Sequence, residues 1–133
     1  NFSEYYKKNK KKLSKYMQKA IANGNKYSAK NYAEAIDFMK RSYESYKEVF
    51  EDYHGVLSPS SPGVAPKGLK STGTAEFNKF WSFMGTPCIS LPLLKGENNL
   101  PLGVQLIGDK YDDLRFLGIA RWLEQKSKKY QDQ

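Results

Sequence analysis

Three sets of residues could in principle do chemistry. The first is the double serine Ser60-Ser61, set in SPSSPG. A serine nucleophile needs a base within hydrogen-bond reach and oxyanion donors beside it, usually backbone N–H groups of a glycine-rich turn. Here Pro59 and Pro62 flank the pair, and proline has no N–H to offer. The residue types point to a rigid loop. The second set is Cys88 with His54, a conceivable thiol–imidazole pair. Cys88 lies within an apolar run, where a free cysteine behaves as an inert small hydrophobe. The third set is Asp109, Asp112 and Asp113. A metal site needs clustered histidines, cysteines or carboxylates, and the chain has one His and one Cys. A helix N-cap explains the aspartates better. No phosphate-binding glycine loop is present. No catalytic residue, metal ligand or cofactor is therefore assigned from these sets.

The elements that would position such residues divide near His54. Before it the sequence reads as helices. Leu13, Tyr16, Met17, Ala20 and Ile21 fall on one helical face. Asn23-Gly24-Asn25 ends that helix, with Gly24 expected in the left-handed conformation. Ser28 is a plausible N-cap for a second helix with the stripe Ala29, Tyr32, Ala33, Ile36, Met39, Tyr43, Tyr46, Phe50 and Tyr53. After His54 come the short run Gly55-Val56-Leu57 and a Pro-, Gly- and Ser-rich loop. A helix is predicted over Ala75–Met84. Strands are predicted over Cys88–Leu94 and Leu102–Ile107, joined by the turn KGENN, and a last helix begins at Asp112 or Asp113. Two Leu-Pro pairs, Leu91-Pro92 and Leu100-Pro101, mark these strands. Proline is confined to strand starts, edges and bulges, so both prolines are expected near strand ends. Both strands are nearly continuous in apolar residues, the pattern of burial on both faces. The fold class is α/β: N-terminal helices over residues 1–54, then part of a sheet with flanking helices over 55–133.

Composition bounds the partners. The chain has 133 residues and a formal net charge of +8. Six lysines (Lys7, Lys8, Lys10, Lys11, Lys12 and Lys15) face one acid, Glu4, within the first fifteen residues. This is a basic arm and not a basic domain. It reads as a solvated helix face, and no nucleic-acid motif accompanies it. A single cysteine rules out an internal disulfide and makes a reducing cytoplasm the expected compartment. No apolar run approaches the ~20 residues of a membrane span. The chain begins with Asn1, which suggests processing or a piece of something longer.

Read in order, the second half carries YHGVLSPSSPGVAPKG, STGTAEFNKFWSFMGTPCISLPL and LPLGVQLIGDKYDDLRFLGIARWLE. This resembles the C-terminal region of the amidase signature family over residues ~52–125. The resemblance rests on Leu57-Ser58-Pro59, Ala65-Pro66, Thr72-Gly73, Asn78 with Trp81, Gly85-Thr86-Pro87, Leu91-Pro92, Leu100 to Gln105 and the helix from Asp113. The first fifty residues match only as generic helices.

The resemblance implies a piece of a large mixed sheet. It implies an enzyme that hydrolyses or transfers amides through a lysine and two serines lying upstream of this region. Nothing here matches those three, so the resemblance transfers no catalytic role. It places Thr72, Phe77, Asn78 and Trp81 near the substrate pocket. The partners it implies are the upstream portion of the same enzyme and a small-molecule amide, with self-association of the isolated chain. The competing expectation is a free-standing, non-enzymatic binding protein whose basic arm contacts nucleic acid or an acidic partner.

Overall fold

A computed structural model describes residues 2–131, with side chains described through Lys128. The chain divides into two compact units, Asn1–Phe38 and Met39–Gln133. The division falls inside one long helix.

The first unit is helical. It contains α1 (Ser3–Asn9), a 3-10 turn over Lys10–Lys12, α2 (Lys15–Gly24) and the first part of α3 (Ala29–Asp52). Ser14 caps α2: its hydroxyl accepts from the Met17 backbone N–H at 3.2 Å. Leu13, expected inside this helix, is extended and precedes the cap. Gly24 is also not left-handed; it is the last residue of α2. At Ser28 the expected cap forms. Its hydroxyl accepts from Asn31 N–H at 3.1 Å, and the Asn31 side chain accepts in return from Ser28 N–H at 3.1 Å. That exchange satisfies two otherwise orphaned donors. None of the residues described in this unit is buried. All six arm lysines are exposed.

The second unit is α/β. Three strands, β1 (Val56–Pro59), β2 (Cys88–Lys95) and β3 (Pro101–Ile107), form an antiparallel sheet in the order β1-β3-β2. Side chains alternate across β3 and build a core on each face. On one face Ile107 packs with Phe50 of α3 and with Trp81 and Met84 of α4 (Lys79–Met84). Tyr43, Tyr46 and Val56 border this cluster. On the other face Leu106 and Leu91 pack with Phe116 and Ala120 of α5 (Asp113–Gln131). Gly85 ends α4 at φ 73°, a conformation that glycine adopts without the Cβ penalty. Among the described residues no helix is long and apolar enough to cross a membrane.

In this unit three more elements differ from expectation. The helix expected from Ala75 starts at Lys79, after a turn in which Asn78 N–H donates to the Ala75 carbonyl at 3.1 Å. Pro92 does not end its strand. It lies in mid-β2, where the register shifts between Leu91 and Leu94; the irregularity spares it a ladder donation it cannot make. Pro101 does open β3. Finally, β2 is not buried on both faces. It is an outer strand with only Leu91 buried, and both Leu57 of β1 and Leu94 of β2 are more than half exposed.

A polar clamp ties α3 to the turn after β3. The Tyr43 hydroxyl donates to Asp109 Oδ1 at 2.5 Å, which also accepts from Lys110 N–H at 2.8 Å. The Lys110 ammonium sits 3.8 Å from the centroid of the Tyr43 ring. Burial, then the hydrogen bond to Asp109, pushes the Tyr43 phenol up to about 12 from 10.0. The folded state therefore holds this proton more tightly than the unfolded chain does. The stabilisation is complete below pH 10 and is lost as pH rises toward about 12. In Tyr43→Phe that part of the alkaline loss should be absent, and stability at neutral pH should fall by about 1 kcal/mol. Urea unfolding of both proteins between neutral pH and pH 12 checks this. Parallel pH profiles would contradict it.

Candidate functional site

One groove of about 430 Å³ lies where the Pro/Gly-rich loop meets the sheet. Residues 60–66 and 72–74 form its walls, and Ser90, Pro101 and Gly103 complete it. The strands fix its base. Ser58, Gln105 and Ser90 stand opposite one another across β1, β3 and β2. The Ser60 N–H donates to the Gly103 carbonyl at 3.0 Å, which extends the β1–β3 pairing into the loop. The Ser60 and Ser90 hydroxyls then meet at 2.7 Å. Gly103 makes that meeting possible. A Cβ there would stand 2.7 Å from Ser90 Oγ and 2.8 Å from Ser60 Oγ. The glycine of LPLGVQ is thus explained by close approach and not by turn geometry.

Gln105 anchors the groove from beneath. It is 3% exposed. Its amide nitrogen donates to the Phe77 carbonyl at 2.8 Å and to the Pro59 carbonyl at 3.1 Å. An amide NH₂ has two donors, and here they hold the start of the loop and the approach to α4. In the sequence Gln105 stands out only as part of a strand motif. The signal that could have found it is a lone polar residue between Val104 and Leu106, since a buried amide must find partners.

The four pocket candidates are not together. Thr72 is exposed and lines the groove. Asn78 borders it: its side-chain amide donates to the Ser60 carbonyl at 3.3 Å, and it makes no side-chain cap to α4. Phe77 is half-buried and contributes its carbonyl to Gln105. Trp81 is 8% exposed and belongs to the core beside Met84 and Ile107. Its ring meets Tyr46 and Phe80 edge-on, each with centroids 5.3 Å apart.

The remaining candidates are engaged elsewhere. Ser61 Oγ donates to the Gly63 carbonyl at 2.6 Å. Asp109 belongs to the Tyr43 clamp, and Asp112 pairs with Arg115 at 3.4 Å. His54 Nδ1 lies 3.0 Å from Arg115 Nη2; arginine can only donate, so Nδ1 accepts. Cys88, expected to be buried, is exposed on the outer strand. Partial burial still pushes its thiol pKa up, away from the thiolate that a nucleophile needs.

The sequence profile of the amidase family matches residues 1–117. The chain belongs to the amidase family. The match includes the helical first fifty residues, which the sequence alone presented only as generic helices. Among its relatives is a glutamyl-tRNA(Gln) amidotransferase subunit of Alkaliphilus metalliredigens, 36% identical over 103 residues, or 71% of this chain and 21% of that protein. Another is the fatty acid amide hydrolase of Arabidopsis thaliana, 26% identical over 126 residues, or 86% of this chain and 21% of that one. A solved structure described as an amidase superposes with a TM-score of 0.81 at 22% identity, covering 94% of this chain and 31% of its own. That likeness supports the fold. This amidase-family chain spans about a fifth of the length of the curated relatives it matches.

Proposed function

We propose that this chain is the C-terminal portion of an amidase-signature amide hydrolase or amidotransferase. In this reading it completes the sheet and walls the substrate pocket. The lysine and two serines of the reaction come from an upstream portion of the same enzyme, which is its principal partner. The observation that carries the proposal is the sheet itself. β1 and β2 each pair only with β3 among the described residues. Unpaired strand edges and exposed leucines are what a sheet shows when further strands are to be added. Thr72, Phe77, Asn78 and Trp81 are assigned to the pocket side of this portion. Thr72 lines the groove, Asn78 and Phe77 reach it through the Ser60 carbonyl and Gln105, and Trp81 enters this assignment only through the family resemblance, since it packs in the core. The single cysteine fits a reducing cytoplasm. The basic arm falls inside the stretch matched by the family profile and needs no separate nucleic-acid partner.

Monomers rarely leave contiguous apolar patches beyond a few hundred Å² uncovered. The isolated chain should therefore self-associate or bind a hydrophobic dye while folded. Adding the upstream portion should suppress both. Light scattering and dye fluorescence on the purified protein check this. A dye-silent, cooperatively unfolding monomer would show that the 133 residues close their own core, and the proposal would lose its main support.

A further inference from the structure

The first unit, Asn1–Phe38, carries a surface that the proposed pocket leaves unused. Five of the chain's eight net positive charges fall within residues 1–15, as six lysines against Glu4. All six lysines are exposed. Among the described residues none of them is in an ion pair. Lys10 lies over the Tyr6 ring, its ammonium 5.5 Å from the centroid. A lysine cluster by itself is a solvated face. Here an apolar surface accompanies it.

That surface is built by helical spacing. Phe2 at the cap of α1 shares one side with Tyr5 and Tyr6, and Lys7 and Lys8 take the other. In α2, Tyr16, Met17, Ala20 and Ile21 share a face opposite Lys15 and Lys19. Neither helix has a buried residue. Met17 and Ile21 are partly covered, while Tyr16 and Ala20 are open. Phe2, Tyr5 and Tyr16 are each at least half exposed. A helix with an apolar stripe and no buried member has not placed that stripe in a core.

Lysines on one side and aromatics on the other are what a helix needs to lie in the plane of an anionic lipid surface. The apolar side enters the boundary between headgroups and acyl chains, and the ammonium groups stay among the headgroups. Tyrosine suits that boundary, because its ring is apolar and its hydroxyl stays wet. No spanning helix is needed. Nucleic acid would attract the same lysines, but its phosphate backbone gives the apolar stripes nothing to enter. We infer that α1 and α2 dock in plane on an anionic phospholipid surface. The inference goes beyond the amidase reading and does not depend on it.

Co-sedimentation of the full 133-residue chain with vesicles tests it. The probes are neutral phosphatidylcholine vesicles and the same lipid with about 30% phosphatidylserine, whose negative surface attracts lysines. The mixed vesicles should bind at least about tenfold more tightly, and ~0.5 M salt should remove most of the difference. Each lysine near such a surface is worth about fivefold, so Lys7→Gln combined with Lys11→Gln should weaken binding by about 25-fold. The urea midpoint of the second unit should not move. Tyr16→Ser should weaken binding severalfold at either salt concentration, which a purely electrostatic contact would not show. Equal binding to both vesicles, as exposed sheet edges alone would give, overturns the inference. So does indifference to the paired lysine change or to Tyr16→Ser, or tighter binding to duplex RNA than to the mixed vesicles. Vesicle binding that disappears when the upstream amidase portion is added would assign this face to that portion, and would overturn it too.

Discussion

Trp81→Ala should leave most of the α/β unit unfolded under mild denaturant. The side chain is 8% exposed and touches the two fully buried residues of its cluster, Met84 and Ile107. Tyr46 and Phe80 brace its ring. Large-to-small changes of a buried tryptophan cost about 3–5 kcal/mol. Total stability of a domain is about 5–15 kcal/mol, and among the described residues this unit draws on two small clusters. The urea midpoint should drop sharply and near-UV dichroism should collapse. Trp81→Phe retains most of the apolar volume and should lose much less. An unchanged midpoint in Trp81→Ala would place this ring at a ligand and not in the core.

Gln105→Leu should be the most damaging change at the groove. It preserves volume and removes both donors. The Phe77 and Pro59 carbonyls are then left without them, and a part-buried acceptor deprived of its donor costs about 1–3 kcal/mol. Gln105→Glu should be worse, because a carboxylate would face two carbonyls with no proton to offer. The loop should loosen in step, so residues 60–66 should gain sensitivity to limited proteolysis. A fully stable Gln105→Glu protein with an unaltered digestion pattern would contradict the anchoring role.

Much of this architecture was legible in residue spacing. The apolar runs around Leu91 and Leu106 read as strands, Pro101 as a strand start, and Asp112 or Asp113 as the start of the last helix. Local rules suffice where local interactions decide. They fell short where the decision is made by a distant part of the chain. Pro92 sits in mid-strand because β2 slips register against β3, a feature of the pair and not of either strand. Cys88 is exposed because β2 is outermost, and strand order cannot be read from hydropathy. Trp81 and Phe77 occupy one short segment, and only packing shows that one goes to the core and the other offers its carbonyl to Gln105. The first fifty residues carry no distinctive motif, yet the family profile extends to residue 1. Helices defined by amphipathic spacing alone can resemble those of many folds.

Complementation of amide hydrolysis tests the proposed assembly most directly. The 133-residue chain would be assayed alone, the upstream amidase portion alone, and the two together, on one primary amide. Turnover should appear only in the mixture and should survive Ser61→Ala, because that serine supplies no nucleophile. Turnover by this chain alone, or full activity of the upstream portion without it, would contradict the assignment of this chain as a necessary but non-catalytic part of the enzyme.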